Sequence, residues 1–125
     1  MNPAEISLDL WESAESGDAE AQHNVGLYLW IGREIEQDCV EAVKWLKKSA
    51  DQGYVPALDS YGVCVFFGIG RPSDFASGLA LVERAVSLGN VTAVETKECL
   101  MRAMILWSRL LQHGDDVLRR LASGR

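Results

Sequence analysis

A single step of 36 residues runs through this chain. Gly17, Gly53 and Gly89 stand that far apart, and so do Ala21, Ala57 and Ala93. Gly26 and Gly62 keep the step, as do Gly32 and Gly68, and Asp38 and Asp74, with no gap between residues 17 and 93. Internal periods of about 20–50 residues mark arrays in which one supersecondary unit stacks on its copy, and one in the mid-thirties suits a helix–turn–helix.

The residues inside one unit agree with that reading. AEAQHNVGLYLWI, Ala19–Ile31, has helical apolar spacing and is followed by Gly32, a residue able to take the left-handed conformation of a helix stop. Asp38 is placed to cap the next helix, with Glu41 three residues on to complete a capping box. In CVEAVKWLKKSADQ, Ala42, Trp45, Leu46, Ser49 and Ala50 form one stripe, with Lys44, Lys47, Lys48 and Asp51 outside it. The second unit repeats the grammar: PALDSYGVCVFF, Gly68, the turn IGRPS, Asp74 as cap, FASGLALVERAVSL, and Gly89. Gly26 and Gly62, with Ala21 and Ala57, read as points where neighbouring helices cross too closely for a larger side chain.

These residues carry a resemblance. The order A-x-x-x-(V/Y)-G-x-x-(L/V)-x-x-G, then D-x-x-x-(A/G)-x-x-(W/L), then a small residue and Gly, resembles the Sel-1-like repeat, a helical-pair relative of the tetratricopeptide repeat. The likeness covers two full units (17–52 and 53–88), a preceding half unit at about 4–16 and the start of a third. Glu34 stands where the family has a turn glycine that the second unit keeps as Gly70, and Leu29 and Val65 replace a usual tyrosine. Glu98 and Met104 stand where the third copies of Gly62 and Gly68 would fall. The implied fold is all-α: one domain, a short α/α solenoid of stacked antiparallel helix pairs, with a degenerate capping repeat over 89–125.

That last segment reads differently from the units. Thr92 with Glu95 resembles a capping box, AVETKECLMRAMILWSRLLQH reads as one long helix to Gly114, and Asp115 is placed to cap a short helix DVLRRLAS. Val94, Leu100, Met101, Met104, Ile105, Trp107, Leu110 and Leu111 are too many apolar groups for one narrow stripe. The long helix is expected to cap the stack. A dimer contact or a peptide-docking surface is the alternative.

Charge and composition narrow the function classes. Residues 1–41 carry ten acids against Arg33 alone, −9, while the rest carry eight acids and eleven bases, +3. Such a field disfavours nucleic acid and anionic membranes and suits a basic protein partner. The bland alternative is an acidic face that only keeps the protein in solution. No apolar run approaches the roughly 18 residues of a membrane span. MNPAEISLDLW lacks the basic and apolar regions of a secretory signal. Cys39, Cys64 and Cys99 are odd in number without metal-type spacing, and are expected to be free, buried thiols in a cytoplasmic protein.

No catalytic set emerges. His23 and His113 are the only histidines and lie far apart in a linear stack. A metal pair at i,i+4, a nucleophile elbow and a phosphate loop are absent, and the glycines of Gly68–Gly70 follow a helix, not a strand. The chain is therefore expected to be no enzyme, with no cofactor and no metal. In a helix-pair solenoid the first helix of each pair lines the concave side. There Glu20, His23, Leu27, Trp30 and Ile31 share one face of the first such helix, and Asp59, Val63, Phe66 and Phe67 the matching face of the second. The family pattern leaves Trp30–Ile31 and Phe66–Phe67 variable and often polar, so bulky apolar groups on both helices are expected to anchor a protein or peptide partner. Opposed to this is a fold-back of the C-terminal helix that buries the patch. The resemblance implies a non-enzymatic adaptor or scaffold. A narrower form is a bacterial immunity protein neutralising a basic toxin. The alternative from another class is a structural, self-assembling homodimeric unit.

Overall fold

The computed structural model describes residues 3–32 and 35–124, which form six helices. These are α1 (Pro3–Glu15), α2 (Ala19–Ile31), α3 (Cys39–Asp51), α4 (Val55–Phe67), α5 (Phe75–Ser87) and α6 (Val91–Ala122). Each helix packs on the next, and α6 also touches α4. The architecture is the all-helical stack of pairs that the 36-residue step demands, with α2/α3 and α4/α5 as its complete pairs. The substitution at Glu34 lies outside the described residues.

The pairs are held by close crossings at glycine. A Cβ on Gly26 would stand 2.7 Å from Leu46 Cγ and 3.2 Å from the Ala42 carbonyl oxygen. One step later, a Cβ on Gly62 would stand 2.7 Å from Val82 Cγ2 and 3.0 Å from the Gly78 carbonyl oxygen. Real side chains do not fit at such distances, so the helices pack backbone to side chain. Each first helix then stops at a left-handed glycine, Gly32 at φ 69° and Gly68 at φ 75°. The turn closes identically twice: Asp38 N–H donates to the Leu29 carbonyl at 2.9 Å, and Asp74 N–H to the Val65 carbonyl at 2.8 Å.

The caps are partly as expected. The Asp38 carboxylate accepts from Glu41 N–H, and the Asp74 carboxylate from Ser77 N–H. The reciprocal half of the capping box is a correction: Asp38 N–H is already committed to Leu29, and the Glu41 carboxylate lies 3.6 Å from Lys44 Nζ instead. At α6 the cap is Asn90, whose side chain accepts from Ala93 N–H, while Thr92 donates to Asn90.

Two clusters make up the core. One joins Ala14, Ala21, Val25, Leu29, Ala42 and Trp45, with Trp11 set edge-on to Trp45 at 5.5 Å. The other runs from Leu46 through Leu58, Val65, Phe66 and Val82 to Leu100 on α6. Trp30 is half-buried against both, which ties the pairs together.

The third unit departs from its predecessors. The helices α1 to α5 have 13 residues each and α6 has 32. It runs unbroken through Gly114, so the expected stop there and a separate helix capped by Asp115 are corrected. The reason is at Met104: without the left-handed glycine of Gly32 and Gly68, nothing turns the chain, and one internal glycine costs a helix only about 1 kcal/mol. The first half of α6 packs on α4 and α5 through Ala93 and Leu100. Beyond Ala103 the side chains described are exposed save Gly114, which is half-buried, so this part does not fold back over the face of the first helices.

Trp45 is 7 % exposed and central to its cluster. Trp45→Ala is expected to cost about 3–5 kcal/mol in denaturant unfolding, because it removes the largest buried group of its cluster and the edge-on partner of Trp11. A loss below about 1 kcal/mol would remove Trp45 from the core.

Candidate functional site

The first helices α2, α4 and α6 present one face on which residues a step apart take equivalent places. On it Glu20 is exposed, Leu27 and Val63 are half-buried, and Ile31 and Phe67 are 65 % and 52 % exposed. Ile31 and Phe67 are one step apart, so adjacent helices put bulky apolar groups at the same site.

The neighbours of that pair behave differently. Phe66 is 1 % exposed, stacked on Phe75 at 4.8 Å and edge-on to Phe67 at 5.0 Å, so its expected role as a projecting anchor is corrected. A residue is turned by about 100° from the one before it in a helix, which sends Phe66 into the core while Phe67 faces out. Trp30 follows Phe66 inward, half-buried between the clusters. An acidic replacement at Trp30 would therefore burden the fold as well as the surface.

His23 and Asp59 serve mainly as links between the first helices. His23 is buried, its Nε2 lies 3.0 Å from the Ser60 hydroxyl, and its ring is edge-on to Tyr54. Thr96 donates its hydroxyl to Asp59 Oδ2 at 3.3 Å. Both links join a residue to one a step and one place further on, so a polar rung connects each first helix to the next. The rungs differ in quality, because Asp59 Oδ1 is buried without a partner.

Sequence reasoning did not foresee a notch at the end of this face. Phe66, Phe67, Ser73 and Phe75, where α4 turns into α5, and Ala103, Met104 and Trp107 on α6 enclose about 400 Å³. The signal was available: Met104 at the glycine position means that α6 overshoots the turn beneath it. A second hollow of about 310 Å³ is lined by Asn24, Leu27, Tyr28 and Ile31 on α2.

Of the early acids, Asp9, Glu12, Glu15, Asp18 and Glu20 are exposed, but Asp18 is engaged as the cap of α2. The thiols are less uniform than expected. Cys64 is buried, with burial pushing its pKa up to about 12, while Cys39 is half-buried and Cys99 exposed. Among the described residues, no helix is long and apolar enough to cross a membrane, and no three His, Cys, Asp or Glu side chains are grouped to hold a metal.

The rungs make stability depend on pH in opposite senses. Burial lowers the His23 pKa from 6.5, against the raising effect of the Glu20 carboxylate. The folded state thus binds this proton less well than the unfolded chain. The His23 contribution is complete above 6.5 and is lost as pH falls below it. Burial raises the Asp59 pKa from 3.8, against the Thr96 hydrogen bond, so its contribution is present at low pH and is lost as pH rises through the raised value. Asp59→Asn is therefore expected to raise the melting temperature near pH 7, with a gain that shrinks toward about pH 4. An equal shift at both pH values, or a lower melting temperature near neutrality, would contradict the assignment.

Comparison with known proteins agrees with this geometry. The family model described as Sel1 repeat matches residues 19–54 and 55–90. Among solved structures, a Sel1 repeat protein from Oxalobacter formigenes superposes with a TM-score of 0.67 at 27 % identity, over 71 % of this chain and 67 % of its own. The protein c5321, a protective antigen present in uropathogenic Escherichia coli strains and displaying an SLR fold, gives 0.66 at 32 % identity. That likeness covers 71 % of this chain but only 19 % of c5321, so the chain spans about a fifth of that protein. A search of curated proteins returns no match. Sel1 repeats generally mediate protein–protein interaction and are not typically enzymatic. With matched units covering more than half its length, the chain belongs to the Sel1 repeat family.

Proposed function

We propose that this chain is a non-enzymatic adaptor that holds a protein or peptide partner along the face of its first helices. The observation that carries the reading is the pairing of Ile31 and Phe67, both largely exposed and one step apart on adjacent helices. Leu27 and Val63 continue the apolar floor between them, and aromatic groups in such places are favoured anchors. Trp30 and Phe66 act from beneath by fixing the helices that present the anchors. Glu20, with the exposed acids of α1, supports a partner that carries basic residues beside its apolar ones. The exposed thiol of Cys99 fits a reducing compartment such as the cytoplasm. The immunity-protein form of this reading rests on the same acidic character and requires a basic toxin as the partner.

Selection of a displayed random peptide library on the immobilised chain tests the surface whatever the partner's identity. Peptides with spaced apolar residues and flanking Lys or Arg are expected, and Phe67→Glu is expected to weaken them at least about tenfold. Lys47→Glu on α3 serves as the control and is expected to leave binding intact. Recovery of no binder, or equal binding by Phe67→Glu with its melting temperature preserved, would overturn the proposal.

A further inference from the structure

We infer that the overhanging half of α6 pairs with the same half of α6 in a second copy, antiparallel, to form a two-fold symmetric dimer. Leu100, Met104, Trp107, Leu111, Gly114, Leu118 and Leu121 follow one another in alternating steps of four and three, the spacing of a helix–helix seam. Leu100 opens the row and is 1 % exposed, buried against α4 and α5. The same row then leaves the body of the protein without changing face. Leu111, Leu118 and Leu121 are 73 %, 65 % and 73 % exposed, and Trp107 is 52 % exposed. The free seam is thus the continuation of an interface that the chain already makes with itself.

The occupant follows from orientation and register. A parallel copy would drive its own α4 and α5 into the space where the first copy has its α4–α5 turn, because the seam faces that turn. An antiparallel copy instead brings the last turns of its helix there, up to the helix end at Ala122. One register pairs every exposed seam residue. Met104 meets Leu121 of the other copy, Trp107 meets Leu118, and Leu111 meets Gly114, so the largest groups face smaller ones. Moving the copies one heptad closer would set Leu118 against the buried Leu100, and moving them one heptad apart would leave Met104 and Trp107 uncovered.

In the favoured register Leu121 of one copy reaches the notch of Phe66, Phe67, Phe75 and Met104 in the other. No charged residue interrupts the seam. Arg109, Asp116 and Arg120 lie on the far side of the helix, and Ser108 and Asp115 flank one edge. Continued head-to-tail stacking of whole repeats is excluded as the route to assembly. It needs a second-type helix against α6 at the position of Gly26 and Gly62, and Glu98 fills that position. The dimer involves neither Ile31 nor the α2 hollow, and meets the proposed partner face only at Phe67, which lines the notch.

Light scattering behind a sizing column tests the state. The expected mass is twice the chain's 13.8 kDa at micromolar concentrations and above, and Leu111→Glu is expected to return it to one chain with its helical spectrum unchanged. Cross-linking tests the register independently. In a Cys99→Ser background, Met104→Cys and Leu121→Cys variants are each expected to stay uncross-linked alone under mild oxidation, and to form a mixed disulfide when combined. A single-chain mass at all concentrations, a dimer insensitive to Leu111→Glu, or self-cross-linking of either single variant would overturn the inference.

Discussion

The stack depends on two helices being allowed to touch where one of them has no side chain. At Gly26 and again at Gly62, the facing side chain of the second helix stands only 2.7 Å from where a Cβ would be. The approach sets the separation of the pair, and with it the depth at which Leu46 and Val82 are buried. Gly78 draws the second pair closer still, since its own Cβ would stand 2.7 Å from the Gly62 carbonyl oxygen. A close-packed interior gives little room for relaxation around such contacts. The register of the crossing relative to the turn is therefore held from unit to unit, and an ungapped 36-residue step is what that looks like in a sequence.

The same two glycine positions explain where the pattern stops. Glu98 replaces the crossing glycine and Met104 the stopping glycine, and each change makes the other intelligible. A helix that cannot receive a second helix gains nothing from turning back, and one that does not turn back has no need of a small residue at the crossing. The result is one long helix whose first half belongs to the body and whose second half carries an apolar seam into solvent. Most helical stability in proteins comes from packing of an amphipathic face rather than from propensity. An exposed seam containing Trp107 and three leucines is the kind of surface that soluble proteins cover.

Most of the fold is legible in the residues, because repetition reports on itself. Helix limits, the caps at Asp38 and Asp74, and the buried stripe of α3 follow from spacing and local chemistry. What spacing does not resolve is the choice within each doublet of the first helices. Trp30 and Ile31, like Phe66 and Phe67, are both bulky and apolar, and only the packing of the adjacent pair decides which one turns inward. His23 and Asp59 are legible as residues of that face, yet their roles as rungs depend on Ser60 and Thr96 across a helix boundary. The length of α6 is hidden because Gly114 looks in sequence like Gly32 and Gly68. Those glycines are followed by a turn that hydrogen-bonds back to its own helix, and Gly114 is not.

Division of labour within the doublets has a consequence for how the two surfaces interact. Phe67 borders both the face proposed for a partner and the notch that receives Leu121 of a second copy. Phe66 lies buried behind it and lines the same notch, stacked on Phe75 and edge-on to Phe67. A ligand on one side of Phe67 restricts the positions its ring can take on the other. Any such preference is a coupling free energy, and linkage makes it reciprocal: a partner that favours one setting of Phe67 shifts the dimer by the factor by which the dimer shifts the partner. The sign follows from the ring's setting. Where both ligands want it turned away from the notch floor, binding and pairing reinforce one another. Where the partner draws the ring across the notch, each excludes the other.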